Sequence, residues 1–298
     1  MRHRPALNWL VPLIIVLTLI TAGVGLFYRA GSGPFPFTTV HGEQVQMAGQ
    51  GIYFHDTLFT ASLSWGTDLV TIFVGLPLLA LAAWLAQRGS LRGGFLLTGV
   101  LAYFLYYGAS LGLGTAYNRL FLVYIALFSA SFYAFILAFT AFDLSSLTER
   151  ISPRFPRRGA AIFMIVVGLG LALIWLSDAV SAAIANRPPG GLGPYTTVVT
   201  YTLDVGIIAV ACLLAAFQLS RREPMGYILS GTLNMMLVLI AAMVVGQTVM
   251  QLRAGVPLTP GEIIGKSASF VVMGCFAVWL TVLLFRSISD DSTPPVRG

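Results

Sequence analysis

Thr196-Thr-Val-Val-Thr-Tyr-Thr-Leu-Asp204-Val-Gly-Ile-Ile-Ala-Val-Ala-Cys-Leu-Leu-Ala-Ala-Phe-Gln-Leu-Ser220 is the stretch on which the fold turns. As a helix it is long enough to cross roughly 30 Å of hydrocarbon. It carries a single carboxylate, Asp204. A carboxylate in such a segment is costly and usually has a partner or a task. The rest of the chain repeats the apolar pattern. Of 298 residues, 57% are hydrophobic and only 9% are charged, against about a quarter in soluble domains. Mean hydropathy is +0.86. A soluble fold of this size cannot bury that much apolar surface, so lipid is the solvent for much of it.

Apolar runs of spanning length occur at about 7–28, 67–87, 94–113, 118–142, 159–183, 197–220, 226–252 and 260–287, with the usual error of a few residues at each end. The first follows Met1-Arg-His-Arg4 and is too long for a signal-peptide core, with no small-x-small site after it. It reads as an uncleaved helix. The net charge of +6 does not point to nucleic acid, because the basic residues sit in short loops between apolar runs. With the N-terminus inside, Arg2, Arg4, Arg88, Arg92, Arg150, Arg154, Arg157, Arg158, Arg221, Arg222, Arg286 and Arg297 face the cytoplasm. Arg29, Arg119, Arg187, Arg253 and Lys266 lie outside. This bias of 12 to 5 places both termini in the cytoplasm. Cys212 and Cys275 both lie in apolar runs, which argues against a disulfide framework.

The one sizeable loop is 29–66. Residues 35–47 alternate around His41-Gly42, the signature of a small hairpin, expected to act as a lid. Asp56-Thr-Leu-Phe-Thr-Ala-Ser-Leu63 reads as a short interfacial helix capped by Asp56. Thr259-Pro-Gly-Glu262 reads as a capping box opening the last span, with Lys266 one turn beyond Glu262.

Weak internal similarity is also present. Gly94-Phe-Leu-Leu-Thr-Gly-Val-Leu101 resembles Gly226-Tyr-Ile-Leu-Ser-Gly-Thr-Leu233, Asp68 corresponds to Asp204, and Ser129-Ala-Ser-Phe132 recurs as Ser267-Ala-Ser-Phe270. A 4+4 parallel duplication is one explanation. Chance is the other, in a chain this rich in Gly, Ala, Ser and Leu.

Glu43, Asp56, Asp68, Asp178, Asp204 and Glu262 all fall on the outer side or in the outer half of the bundle. In a helix starting near Thr196, Thr197, Tyr201 and Asp204 share one face. Asp204 is then roughly 12 Å deep, a cation ligand or proton carrier with Arg119 and Lys266 as the nearest basic partners. In a helix starting near Thr202, Asp204 is a first-turn carboxylate favoured by the helix dipole. Asp68, following Thr67, reads better as such a helix-start residue. Asp178 ends span five beside Ser177, at headgroup level. Tyr103, Tyr107 and Ser110 share a face of span three, and such groups more often bond neighbouring helices than substrates.

His3, His41 and His55 lie outside every span, which argues against a haem-ligating bundle. No zinc spacing, no GxxxxGK[ST] and no G-x-S-x-G occurs, so neither metal nor cofactor is expected. The stretch Tyr117-Asn-Arg-Leu-Phe-Leu-Val-Tyr-Ile-Ala-Leu-Phe-Ser-Ala-Ser-Phe132, with Gly66-Thr-Asp68 upstream, resembles uncharacterised multi-pass membrane proteins of bacteria. The resemblance implies a plasma-membrane location and brings no activity with it. The expected fold is therefore an all-α bundle of about eight transmembrane helices in one domain, with an outer hairpin and a flexible cytoplasmic tail at 288–298. Three functions are compatible: a transporter of a small solute or ion, an enzyme acting on a lipid or lipid-linked substrate at the outer leaflet, and a non-catalytic partner of another membrane protein or of a second copy.

Overall fold

The structure is a computed structural model that describes residues 4–289; the side chains of Arg4 and Lys266, and residues 290–298 of the expected tail, lie outside the described set. Among the described residues, eight helices are long and apolar enough to cross a membrane. They are α1 (Arg4–Phe27), α2 (Leu58–Gln87), α3 (Leu91–Gly114), α4 (Phe121–Phe139), α5 (Arg157–Ile184), α6 (Tyr201–Ser220), α7 (Pro224–Arg253) and α8 (Ser269–Ser287). Consecutive spans alternate in direction. One end of the bundle therefore gathers the loops 28–57, 115–120, 185–200 and 254–268, hereafter the hairpin end.

Two helices form the centre. In α3 and α7, 72% of the most apolar stretch is buried inside the protein, against 28–39% in the other six. The remaining spans therefore keep most of their surface for lipid. α2 and α7 approach each other closely through glycine. A Cβ on Gly66 would lie 2.4 Å from the Cα of Gln247, and one on Gly246 would lie 2.9 Å from the Gly66 carbonyl oxygen. Only glycine permits that backbone contact, the usual way membrane helices pack closely without a hydrophobic driving force.

The hairpin forms as the alternation suggests. β1 (Phe35–Thr38) and β2 (Gln44–Met47) pair antiparallel, with Phe35 opposite Met47 and Thr38 opposite Gln44. The turn is closed by Thr39 N–H to Glu43 O at 2.8 Å, and Gly42 takes a φ of +80° that favours glycine. The capping box at Thr259 also forms. The Thr259 hydroxyl accepts from Glu262 N, and the Glu262 carboxylate accepts from Thr259 N at 2.7 Å. Those bonds hold the Glu262 carboxyl below its ordinary range.

The start of α2 differs from expectation. No separate interfacial helix exists, and Asp56 is not its cap. Thr57 caps the helix, accepting from Thr60 N at 3.1 Å, and the helix runs unbroken from Leu58. The polar residues at 62–67 do not break it because their hydroxyls bond back to their own helix. Ser62 donates to Phe59 O, Ser64 to Thr60 O and Thr67 to Leu63 O. Further along, Pro77 has no N–H to donate, and the turn just before it, Thr71–Gly75, is π-wound. Two more π-wound stretches occur, Tyr201–Ala209 at the start of α6 and Ile264–Ala268 ahead of α8.

Candidate functional site: three buried carboxylates at the hairpin end

Asp68 lies deep within α2 and is completely buried. The helix-start interpretation is thereby overturned, because α2 begins at Leu58, well upstream of Thr67. Tyr53, from the loop after the hairpin, donates to Oδ2 at 2.8 Å, and Tyr107 of α3 donates to Oδ1 at 2.7 Å. Gly25 of α1 forms the back wall. A Cβ there would lie 2.0 Å from Asp68 Oδ2 and 3.1 Å from the Tyr53 hydroxyl. One turn below, Tyr103 and Thr71 share a hydrogen bond of 2.7 Å. Arg29 stacks on the Trp65 ring, with its guanidinium carbon 4.6 Å from the centroid. Burial, and then the nearby Asp68 charge, push the Tyr53 hydroxyl well above its ordinary range.

Asp204 is also buried, 8% exposed. Tyr106 of α3 donates to Oδ1 at 3.0 Å, and the Trp175 indole of α5 donates to Oδ2 at 2.9 Å. No basic side chain is among its hydrogen-bond partners. Arg119 is exposed, and Lys266 cannot be assessed because its side chain lies outside the described residues. The expected shared face of Thr197, Tyr201 and Asp204 does not assemble. Helical geometry begins only at residue 199, so Thr197 stands exposed ahead of the helix. The wider π turn then breaks the i, i+4, i+7 register. Tyr201 donates instead to Asp178 Oδ2, which also accepts from Gly190 N at 3.1 Å. Asp178 therefore does not end its helix; it lies inside α5, which runs on to Ile184, and joins that helix to the α5–α6 loop and to α6. The Trp175 and Tyr201 rings, 5.2 Å apart, bring the two acid centres side by side.

Asp56, fully buried, is the third centre. Its Oδ1 accepts from Ala116 N at 2.8 Å and from the Tyr195 hydroxyl at 2.9 Å, and Thr57 N donates to that same hydroxyl at 3.2 Å. Its Oδ2 is buried without a partner. Burial outweighs the two bonds and raises the Asp56 carboxyl to about 6. Burial likewise raises the Tyr195 hydroxyl.

These arrangements share one chemistry. The charge of Arg29 acts on Asp68, but neutral phenol, indole and amide groups donate the hydrogen bonds found to these acids. Adjacent residues of α3 serve two of them, because Tyr106 and Tyr107 project about 100° apart around the helix. The tyrosine donors Tyr53, Tyr106 and Tyr195, and Trp175, were missed in the sequence. The available signal was the scarcity of lysine and arginine near the buried acids, which leaves Tyr and Trp as the main donors. Among the described residues, no group of three His, Cys, Asp or Glu side chains could hold a metal ion. A pocket of about 230 Å³ opens at the hairpin end, lined by residues of the α3 C-terminus and the α5–α6 loop, Thr197 among them, but by neither Asp68 nor Asp204. No family model, no curated protein and no solved structure matches the chain.

Proposed function

We propose that the protein is a transporter that moves a small solute together with, or against, a proton, and that Asp204 carries the proton. The observation that carries this reading is the setting of Asp204: a buried carboxylate in a π-wound stretch of a spanning helix, hydrogen-bonded among the described residues only by Tyr106 and Trp175. Placing a charged aspartate in a membrane helix costs on the order of 3 kcal/mol or more. Two hydrogen bonds to a charged acceptor return roughly 1.5–3 kcal/mol each. The charged and neutral forms are then close enough in energy for one group to gain and lose a proton in turn. π-wound turns inside helices also occur often at functional sites. The pocket at the hairpin end offers a place for solute to bind on that side.

The same proposal places the chain in a bacterial plasma membrane with both termini cytoplasmic and the hairpin outside, supported by the basic bias of the loops. It also includes a 4+4 duplication. In its favour, α2 and α6 each carry a buried aspartate within or beside a π-wound stretch, and α3 and α7 are the two most buried helices. The donor sets do not repeat, since Tyr106 and Tyr107 both come from α3.

A second reading, a non-catalytic assembly partner, is favoured by the enclosure of Asp68, which leaves no space for a ligand beside it. Purified protein in vesicles with an entrapped pH dye separates the two. Under the transport reading, adding a solute from a panel of sugars, polyols, amino acids and organic acids moves protons in wild type and not in Asp204→Asn. Proton movement that persists in Asp204→Asn would remove Asp204 from the mechanism, and no movement with any solute would leave the assembly role.

A further inference from the structure

We infer that the hairpin-end pocket binds a small, neutral, hydroxyl-rich solute of about the size of a pentose or hexose. This deepens the transport reading by naming its substrate class, and rests on that reading only for the claim that the bound solute is cargo. The pocket, about 230 Å³, is lined by His55, Thr115, Tyr195, Thr196 and Thr197, with the rest of 113–116 and Pro194 completing the wall. The volume is below the range of about 300–1,000 Å³ usual for drug-sized ligands, which restricts it to a small molecule. No aspartate, glutamate, lysine or arginine lines it. A charged ligand would meet no permanently charged side chain in the lining to offset the cost of its desolvation.

The polar groups present can both donate and accept. Thr196 and Thr197 are exposed and make no hydrogen bond among the described residues, and the His55 ring contacts only Phe54 edge-on. Two hydroxyls and an imidazole are therefore available to a ligand whose own hydroxyls also do both. The Thr115 hydroxyl is committed to Leu111 O at 2.6 Å, and the Tyr195 hydroxyl to Asp56. These two shape the wall.

The pocket is built rather than incidental. Two of its walls, the Ala116 backbone and the Tyr195 ring, belong to different loops, and one buried carboxylate pins both. Asp56 Oδ1 receives Ala116 N and the Tyr195 hydroxyl, and Thr57 N locks that hydroxyl from below. Asp56 is a positioning residue: it stays out of the lining and fixes the distance between the walls.

The test is protection from labelling. Leu113→Cys, at a lining residue with no polar group to offer the ligand, is made in a Cys275→Ser background and exposed to a thiol reagent in the presence of glycerol, ribose, glucose or inositol. Glycine betaine, putrescine and phosphate serve as charged comparisons. The expected result is at least a fivefold slower reaction with one of the neutral polyols or sugars, saturating with concentration. A control, Ser145→Cys at the opposite end, should react at an unchanged rate. Tyr195→Phe, which keeps the ring but frees it from Asp56, should abolish protection while Leu113→Cys still reacts. No protection by any neutral solute, protection only by a charged one, or equal slowing at Ser145→Cys would each overturn the inference. Protection without solute-driven proton movement would keep the site and reject the transport reading. Proton movement without protection would do the reverse.

Discussion

Replacing Gly25 by alanine should be among the most damaging single-methyl changes at the hairpin end. The added Cβ would sit 2.0 Å from Asp68 Oδ2, 3.0 Å from its Cγ and 3.1 Å from the Tyr53 hydroxyl. Real Cβ contacts essentially never fall below 3.0 Å, so α1 or the carboxylate must move by at least the difference, 1.0 Å. The carboxylate is held at 2.8 Å by Tyr53 and at 2.7 Å by Tyr107. A 1 Å displacement takes one of those bonds beyond hydrogen-bonding range. Losing a bond to a charged acceptor costs about 1.5–3 kcal/mol, and overpacking adds about 1–3 kcal/mol. The sum is about 2.5–6 kcal/mol. The assay is reversible unfolding in mixed micelles, with Gly23→Ala as the control. A Cβ on Gly23 meets nothing within 4 Å, so that change should be neutral or gain up to about 1 kcal/mol in helix propensity. On an Asp68→Ala background the Gly25→Ala penalty should shrink, since the clashing atoms are gone. Equal stability of Gly25→Ala and Gly23→Ala would refute the enclosure of Asp68.

Asp56 should impose a pH dependence on stability. Its carboxyl is raised from 3.8 to about 6 in the folded protein, so the folded state retains a proton that the unfolded chain releases. The stabilisation is full below about pH 3.8 and is lost as pH rises through about 6, a span of about 2.2 units or on the order of 3 kcal/mol. Asp56→Asn cannot ionise and should lack this component; parallel wild-type and variant curves from pH 4 to 7 would contradict it. Orientation is checked with Ser145→Cys, exposed on the short helix Leu144–Leu147 at the end opposite the hairpin. In a Cys275→Ser background an impermeant thiol reagent should leave it unlabelled in intact cells and label it after lysis, and labelling of intact cells would invert the topology.

Much of the architecture is legible in the sequence because lipid imposes it. Eight apolar runs, an alternation around His41-Gly42 and a capping box at Thr259 each reflect a local rule, and each element forms. The start of α2 was misjudged because the apolar run was begun at about 67, after the stretch 57–67 with its serines and threonines. In an apolar setting their hydroxyls satisfy themselves on the helix's own carbonyls, as at Ser62, Ser64 and Thr67. That error shifted Asp68 from the helix interior to a cap. The surroundings of Asp204 were misjudged for a different reason. The π-wound turns leave no local mark in a sequence read with a 3.6-residue period, and Tyr106 and Trp175 reach Asp204 from helices distant in the chain. Tertiary contacts of that kind need the packing of α3 and α5 to be known. The prominence of Asp204 itself was readable, since a lone carboxylate in an apolar run stands out without any structure.

Infrared difference spectroscopy of the protein in lipid tests the proton-carrier role of Asp204 most directly, and needs no knowledge of the solute. On stepping the pH between about 4 and 9, a range that spans ordinary and perturbed carboxyl titrations, wild type should show a protonated-carboxyl C=O band that comes and goes reversibly. Asp56, itself raised to about 6, contributes one component of that band, which Asp56→Asn should remove; Asp204→Asn should remove a further component that persists in Asp56→Asn and in Asp68→Asn. A wild-type spectrum with no such band, or a band unchanged in Asp204→Asn, would contradict a proton carried on Asp204.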